Sequence, residues 1–343
     1  MPRKKNNFTP NALSLGDVFL LKNEDKDSGS NGDYYPNKLY SDGYPNPNFM
    51  FFGGGYSSGT LNNIQRLDAA NDTERLIRSG IFSYPKRECG GAGNTNYGWW
   101  IGGRNPASGG VGALSNVQRL DFSNDLEGTT SRGVLDAAMR CVNSGAGNLN
   151  YGWRFGGYNG SYVSTTSRID YAADLSTGSA RGNLAFSRAS GAATGNSSYG
   201  WHTGGEVFPT YYSFIDRMTY ASDLSTGSPR TNMTFIRSNH AAVCDGTYLW
   251  TGGGNNYTTE YSSVDRTTLA SDLSAASTRC NLSGNALGSG CKNATYTWWL
   301  GSGPPAYSSV DRMTFASDLT TSQRFTSTIY FGTGSPNHDA FNG

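Results

Sequence analysis

The sequence predicts an all-β fold, a single β-propeller of six four-stranded blades, on three observations. The first is a motif, Arg-x5-Asp, that occurs six times. It pairs Arg66 with Asp72, Arg119 with Asp125, Arg168 with Asp174, Arg217 with Asp223, Arg266 with Asp272 and Arg312 with Asp318. Successive arginines lie 53, 49, 49, 49 and 46 residues apart. The second is an aromatic phrase stopped by glycines, Tyr199-Gly-Trp-His-Thr-Gly-Gly205. It returns from Tyr97, Tyr151, Tyr248 and Tyr296, and in shorter form as Phe51-Phe52-Gly53-Gly54. The third is composition: 46 glycines and 15% charged residues suit tight turns and strands rather than helices. A period of about 40–50 residues holding four short strands marks a propeller. One such sheet cannot cover both its faces, whereas radial packing covers both and leaves only short edges.

In chain order, residues 1–48 are not a copy of the repeat and read as an N-terminal extension. Within it Val18, Phe19, Leu20 and Leu21 form one strand, expected to serve as an attachment segment or as a closing strand of the ring. The polar run from Asn23 to Asp33 resembles a calcium loop. Counted from Asp25, however, Ser30 and Pro36 stand where glycine and glutamate are required. The propeller is expected over 49–343. In each unit the aromatic strand is followed by a variable loop. Next comes a strand with period-2 alternation, Ile215, Arg217 and Thr219 against Asp216, Met218 and Tyr220, expected to be half-buried. Antiparallel order puts the 2–3 and 4–1 loops on one face. The stretch Arg324–Phe331 matches the fourth strand of the sixth unit. Residues 332–343 or the N-terminal extension then complete the first blade. A seventh blade is the alternative, if Tyr330-Phe-Gly-Thr-Gly334 starts another unit that residues 17–48 complete.

The order of elements resembles the kelch repeat family: a small-residue strand after an arginine, an aromatic strand ending in Gly-Gly, a variable loop, then a strand carrying an aromatic. The residues that carry the resemblance are Arg188, Gly204, Gly205 and Tyr220, and it covers roughly residues 49 to 330. The unit departs from the family at Thr226, where a tryptophan is usual. The resemblance implies a propeller scaffold that binds through its loops.

Formal charge is +1, so no global field attracts nucleic acid or anionic lipid. No apolar run is long enough to insert in a membrane, and Met1-Pro-Arg-Lys-Lys lacks the apolar segment of a secretory signal. Cys89, Cys141, Cys244, Cys280 and Cys291 share no register in the repeat, which argues against a disulfide framework or zinc site. His202, His240 and His338 lack ligand spacing, and no nucleophile elbow occurs. No catalytic residue, metal or cofactor is therefore expected. Six equivalent Arg–Asp pairs spread around a ring cannot converge on one reacting atom. They are expected to be structural, each guanidinium forking onto the aspartate of its own turn. Arg140, Arg188 and Arg237 precede the first strand of their units. They either line the loop face, where an anion could meet them, or satisfy loop carbonyls.

The variable 2–3 loops carry the candidate ligand contacts: Tyr158, Tyr162, Tyr211, Tyr212, Tyr257, Tyr261 and Tyr307. Tyrosine, serine, glycine and asparagine dominate these loops, combining stiff amphipathic rings with adaptable hydrogen-bonding groups. The low-charge, Gly/Ser/Thr/Asn/Tyr-rich texture resembles proteins displayed on tailed-phage particles. It implies a non-enzymatic virion protein that holds other virion proteins through its N-terminal segment and binds a host-surface glycan or protein. A cytoplasmic kelch-type interaction module is the alternative, and a carbohydrate-active enzyme on a propeller the third reading.

Overall fold

Each unit folds as an antiparallel sheet whose strands follow one another in chain order, because only turns or loops separate them. The computed structural model describes residues 49–54, 62, 64–78, 82–105, 107, 112–124, 127–140, 144–284, 289–300 and 309–326. The fourth sheet shows the pattern: Ala192–Gly195, Tyr199–Thr203, Phe214–Thr219 and Ser228–Asn232, each hydrogen-bonded to the next. The second sheet runs from Gly90 to Met139, the third from Gly145 to Arg181, the fifth from Ala241 to Asn281 and the sixth from Ser289 to Thr326, all four-stranded. The first has three described strands, Phe49–Gly53, Ile64–Asp68 and Thr73–Arg78. The all-β, propeller-like expectation therefore holds. The fourth strand of the last unit is Ser317–Thr326, which begins seven residues before the expected Arg324–Phe331 because it pairs back from the turn after Thr314; 327–331 lie outside the described residues.

Local chemistry explains each element. The leading strands are built of small residues, such as Gly145-Ala-Gly147, because those of neighbouring sheets touch. A Cβ added to Gly145 would lie 2.3 Å from the amide nitrogen of Gly91. Each leading strand turns into the aromatic strand through an Asx turn. The side chains of Asn94, Asn148, Asn196, Asp245 and Asn293 accept the backbone N–H groups two and three residues on. The aromatic strand ends at Gly204 and Gly205 with φ of +56° and +102°. There a Cβ on Gly205 would also meet the Ala189 carbonyl at 2.6 Å.

The core is six separate layers between sheets. Trp99, Ile101 and Leu135 of the second sheet pack on Ile169 and Tyr171 of the third. Trp153 and Phe155 of the third pack on Met218 and Tyr220 of the fourth. The same relation continues through the fourth to sixth sheets and joins the first to the second. The sixth layer brings Trp298, Leu300 and Val310 of the last sheet against Met50, Phe52 and Leu67 of the first. This layering corrects the half-buried reading of the third strand. Ile215 and Met218 point to opposite faces, and both are buried because a neighbour covers each face.

The repeated arginines and aspartates pair between units, which corrects the expectation that each arginine forks onto its own turn. Arg119 binds Asp174 at 3.0 Å, Arg168 binds Asp223 at 3.0 Å, Arg217 binds Asp272 at 3.0 Å and Arg266 binds Asp318 at 2.8 Å. Arg312 binds Asp72 of the first unit at 2.7 Å. The aspartate ends a short turn after the third strand and its carboxylate faces back toward the preceding sheet. There it also takes the indole N–H of that sheet's aromatic strand: Trp99 to Asp174, Trp153 to Asp223, Trp201 to Asp272 and Trp298 to Asp72. A fourth-strand arginine adds a further cation, as Arg181 does 3.3 Å from Asp223. Each paired guanidinium lies over the tyrosine that opens its aromatic strand, 4.2 Å from the ring centroid for Arg168 over Tyr151. Arg66 stacks likewise on Phe49 at 4.2 Å. Asp125, expected to pair with Arg119 and the aspartate that the crossing pattern would offer Arg66, lies outside the described residues, as do Val18, Phe19, Leu20, Leu21 and Tyr307.

Candidate functional site

The site begins with a buried cation position just before each leading strand. Arg188 and Arg237 are fully buried there. Arg188 binds Asp216 at 3.0 Å and the Gly204 carbonyl at 2.7 Å. Arg237 binds Asp265 at 3.1 Å and the Gly253 carbonyl at 2.8 Å. Burial lowers both guanidinium pKa values, and the facing carboxylates work against it. These two arginines tie down the Gly-Gly bends and do not line the loop face. Lys86 takes the same place in the second unit, with its ammonium near the Trp100 and Asn116 carbonyls.

The third unit is different, and its difference shapes the site. Its buried cation is Arg154, which comes from the aromatic strand itself. Arg154 reaches the Gly156 and Thr165 carbonyls and, at 2.6 Å, the Ser167 hydroxyl. Met139 takes the backbone place of Arg188 here, and Arg140, at the place of Ala189, is partly exposed. Its Nε donates to Glu88 at 2.6 Å, and its guanidinium carbon lies 5.5 Å from the Tyr158 ring centroid.

Around this point, equivalent positions in successive units carry different polar groups on the same backbone. The residue after Gly-Gly pairs with the stretch before the leading strand: Arg104 with Arg87, Tyr158 with Arg140, Glu206 with Ala189 and Asn255 with Ser238. Beside it sits a residue held left-handed, Glu88, Ser190 or Asn239, with φ of 55°, 58° and 52°. The two side chains meet in each unit: Arg104 with Glu88 at 3.4 Å, Ser190 with Glu206 at 3.0 Å and Asn239 with Asn255 at 3.5 Å. Non-glycine residues in this region store strain and gather at functional sites.

An open groove of about 430 Å³ lies among these dyads, lined by Arg140, Tyr158, Tyr162, Ala189, Ser190, Glu206 and Phe208. Its walls come from both the 2–3 and the 4–1 loops, so the two loop sets share a face. Tyr158 and Tyr162 meet edge to face at 5.1 Å. Burial, together with the hydrogen bond and charge of Glu206, pushes the Tyr211 hydroxyl up to about 12. The exposed ring of Phe208 packs on the exposed Tyr257 at 5.8 Å. Of the expected tyrosines, then, Tyr158 and Tyr162 form the groove, while Tyr211 and Tyr257 buttress its edge through Glu206 and Phe208. Tyr212 stacks on Phe214 and Tyr261 on Phe235, each at 5.1 Å, and neither lines the groove.

Sequence reasoning missed Glu88, Arg104, Ser190, Glu206, Phe208 and Asn255 as site residues. The signal that finds most of them is register: a fixed place beside a recurring Gly-Gly where residue type changes from unit to unit. The histidines belong elsewhere. His202 and His240 are buried, with Nε2 atoms 3.3 Å from the Ser144 hydroxyl and 2.8 Å from that of Thr203. Burial first, then the nearby arginines, holds both imidazoles well below their usual range, so they are neutral. Among the described residues no three His, Cys, Asp or Glu side chains gather as metal ligands, and no helix is long and apolar enough to cross a membrane. Comparison with protein-family models and with curated proteins gives no match for this chain.

Proposed function

We propose that the chain is a closed, kelch-like propeller of six blades that works as a non-enzymatic recognition module, and that its loop face binds a saccharide. Closure is supported by the sixth core layer and by the bonds of Arg312 and Trp298 to Asp72, which repeat between last and first units the joint made elsewhere between consecutive ones. One observation carries the functional reading. On an otherwise repeating scaffold, rigid and strained positions of one face present unlike polar groups around a groove walled by aromatic rings. Its volume suits a small ligand rather than a flat protein partner. Tyrosine faces stack against the C–H faces of sugar rings, while the Glu206 carboxylate and Ser190 hydroxyl exchange hydrogen bonds with sugar hydroxyls. The carboxylates of the repeat are committed to arginines, and the two described histidines are buried and neutral, which supports binding rather than turnover.

A host-surface glycan bound by a virion protein is the setting that the sequence texture implies. Residues 1–48, the expected anchor, lie outside the described residues. The test is an oligosaccharide panel titrated against the full chain. Tyr158→Ala and Glu206→Gln are each expected to weaken the best binder at least tenfold with an unchanged melting temperature. Absence of any saccharide binding, or binding that neither variant alters, refutes the reading. Projection images that show a number of blades other than six refute the architecture.

A further inference from the structure

We infer that the saccharide carries a carboxylate, and that Arg140 receives it. This rests on the saccharide reading of the groove and adds the chemical class of the ligand. Three guanidiniums converge on one carboxylate at the groove's end: Arg140 at 2.6 Å, Arg104 at 3.4 Å and Arg87 at 3.5 Å from Glu88. Arg140 and Arg104 share that single carboxylate, so positive charge stays fixed beside the groove. The Glu88 side chain is only 9% exposed, whereas that of Arg140 is 27% exposed.

Arg140 spends its Nε on Glu88. Its two terminal nitrogens make no hydrogen bond to the described residues, leaving one edge of the fork open. Two parallel N–H groups on a planar guanidinium match the two oxygens of a carboxylate. The position of Arg140 over Tyr158 puts that edge beside an aromatic wall. At the other end of the groove Glu206 repels a carboxylate and accepts from hydroxyls. The charges therefore orient the ligand: acid group on Arg140, ring against Tyr158 and Tyr162, hydroxyls toward Glu206. An uncharged sugar leaves the open fork unused. An acidic peptide satisfies the fork but brings no dense array of hydroxyls for the Glu206 end.

The test uses the full chain and two disaccharides that differ only in carrying a glucuronate or a glucose residue. Calorimetric titration at low salt is expected to favour the glucuronate form at least tenfold, about 1.4 kcal/mol. The ratio is expected to fall toward one in Arg140→Ala and to take an intermediate value in Arg140→Lys, which keeps the charge and loses the fork. Raising salt to about 0.5 M should shrink the ratio in the unaltered protein, because the pair is partly exposed. If Arg140→Ala lowers the melting temperature, Arg140→Lys and the salt titration decide alone. Equal affinity for the two disaccharides, with both sensitive to Tyr158→Ala, overturns the inference and leaves the saccharide reading standing. Binding of poly-glutamate but of neither disaccharide overturns both.

Discussion

Asp223 is the joint between the third and fourth sheets, and its removal tests how the repeat is held together. It accepts from the Trp153 indole at 2.9 Å and from Arg168 at 3.0 Å, with Arg181 at 3.3 Å, while remaining almost fully buried itself. A hydrogen bond to a charged group contributes about 1.5–3 kcal/mol, and the two bonds and the ion pair are not additive. The Arg168 and Arg181 side chains keep 22% and 16% of their exposure, so both recover part of their hydration when the carboxylate is gone. The buried indole N–H recovers little. Asp223→Ala is therefore expected to cost about 3–5 kcal/mol, the range for stripping one partner from a buried pair. Arg168→Ala removes one donor and leaves Arg181 on the carboxylate, which sets its cost at about 1–2 kcal/mol. In a chain of this length that corresponds to Tm losses of roughly 4–7 °C and 1–3 °C. Calorimetric melting of the two variants, with Arg181→Ala as a third, reads the asymmetry directly. Equal losses for aspartate and arginine variants, or an Asp223→Ala change within about 0.5 kcal/mol, refute the idea that the aspartate is a hub for three partners.

Asp72→Ala tests the closed ring in the same way: a Tm loss similar to that of Asp223→Ala is expected, and none if the first and last sheets are not joined. Stability should also fall on acidification from about pH 6.5. The unfolded chain binds protons at His202 and His240 there, while the folded chain, with both imidazoles held low, does not. The slope approaches about 1.4 kcal/mol per pH unit for each histidine. Urea midpoints measured between pH 7.5 and 5 check it, and a flat profile that His202→Gln leaves unaltered refutes it. The Gly-Gly bend is predicted to tolerate no side chain. Gly205→Ala, with the Ala189 carbonyl 2.6 Å from the new Cβ, should cost more than about 2 kcal/mol. Gly246→Ala has a similar φ of +96° but nothing within 4 Å, and should cost about 1 kcal/mol.

The sequence by itself determined the repeat, its register, the all-β class and the identity of the residues that hold the sheets together. Those are properties of single strands and turns. Period-2 alternation, paired glycines and a constant Arg-x5-Asp spacing are written within a few residues of one another and need no knowledge of what lies across an interface. The tertiary structure alone decided which partner each residue takes. Arg168 passes over Asp174, six residues along its own chain, for Asp223, because stacking places the next unit's turn against the indole and guanidinium of the preceding sheet. Likewise the buried cation position admits one occupant per unit. Arg154 fills it in the third, where Met139 stands at the backbone place of Arg188, its carbonyl accepting from Gly103 as that of Arg188 accepts from Gly157, and Arg140 falls at the place of Ala189, over Tyr158. Periodicity cannot foresee that shift, since Arg140 and Arg188 each lie 13 residues before the tryptophan of their unit and only the pairing between loops separates them.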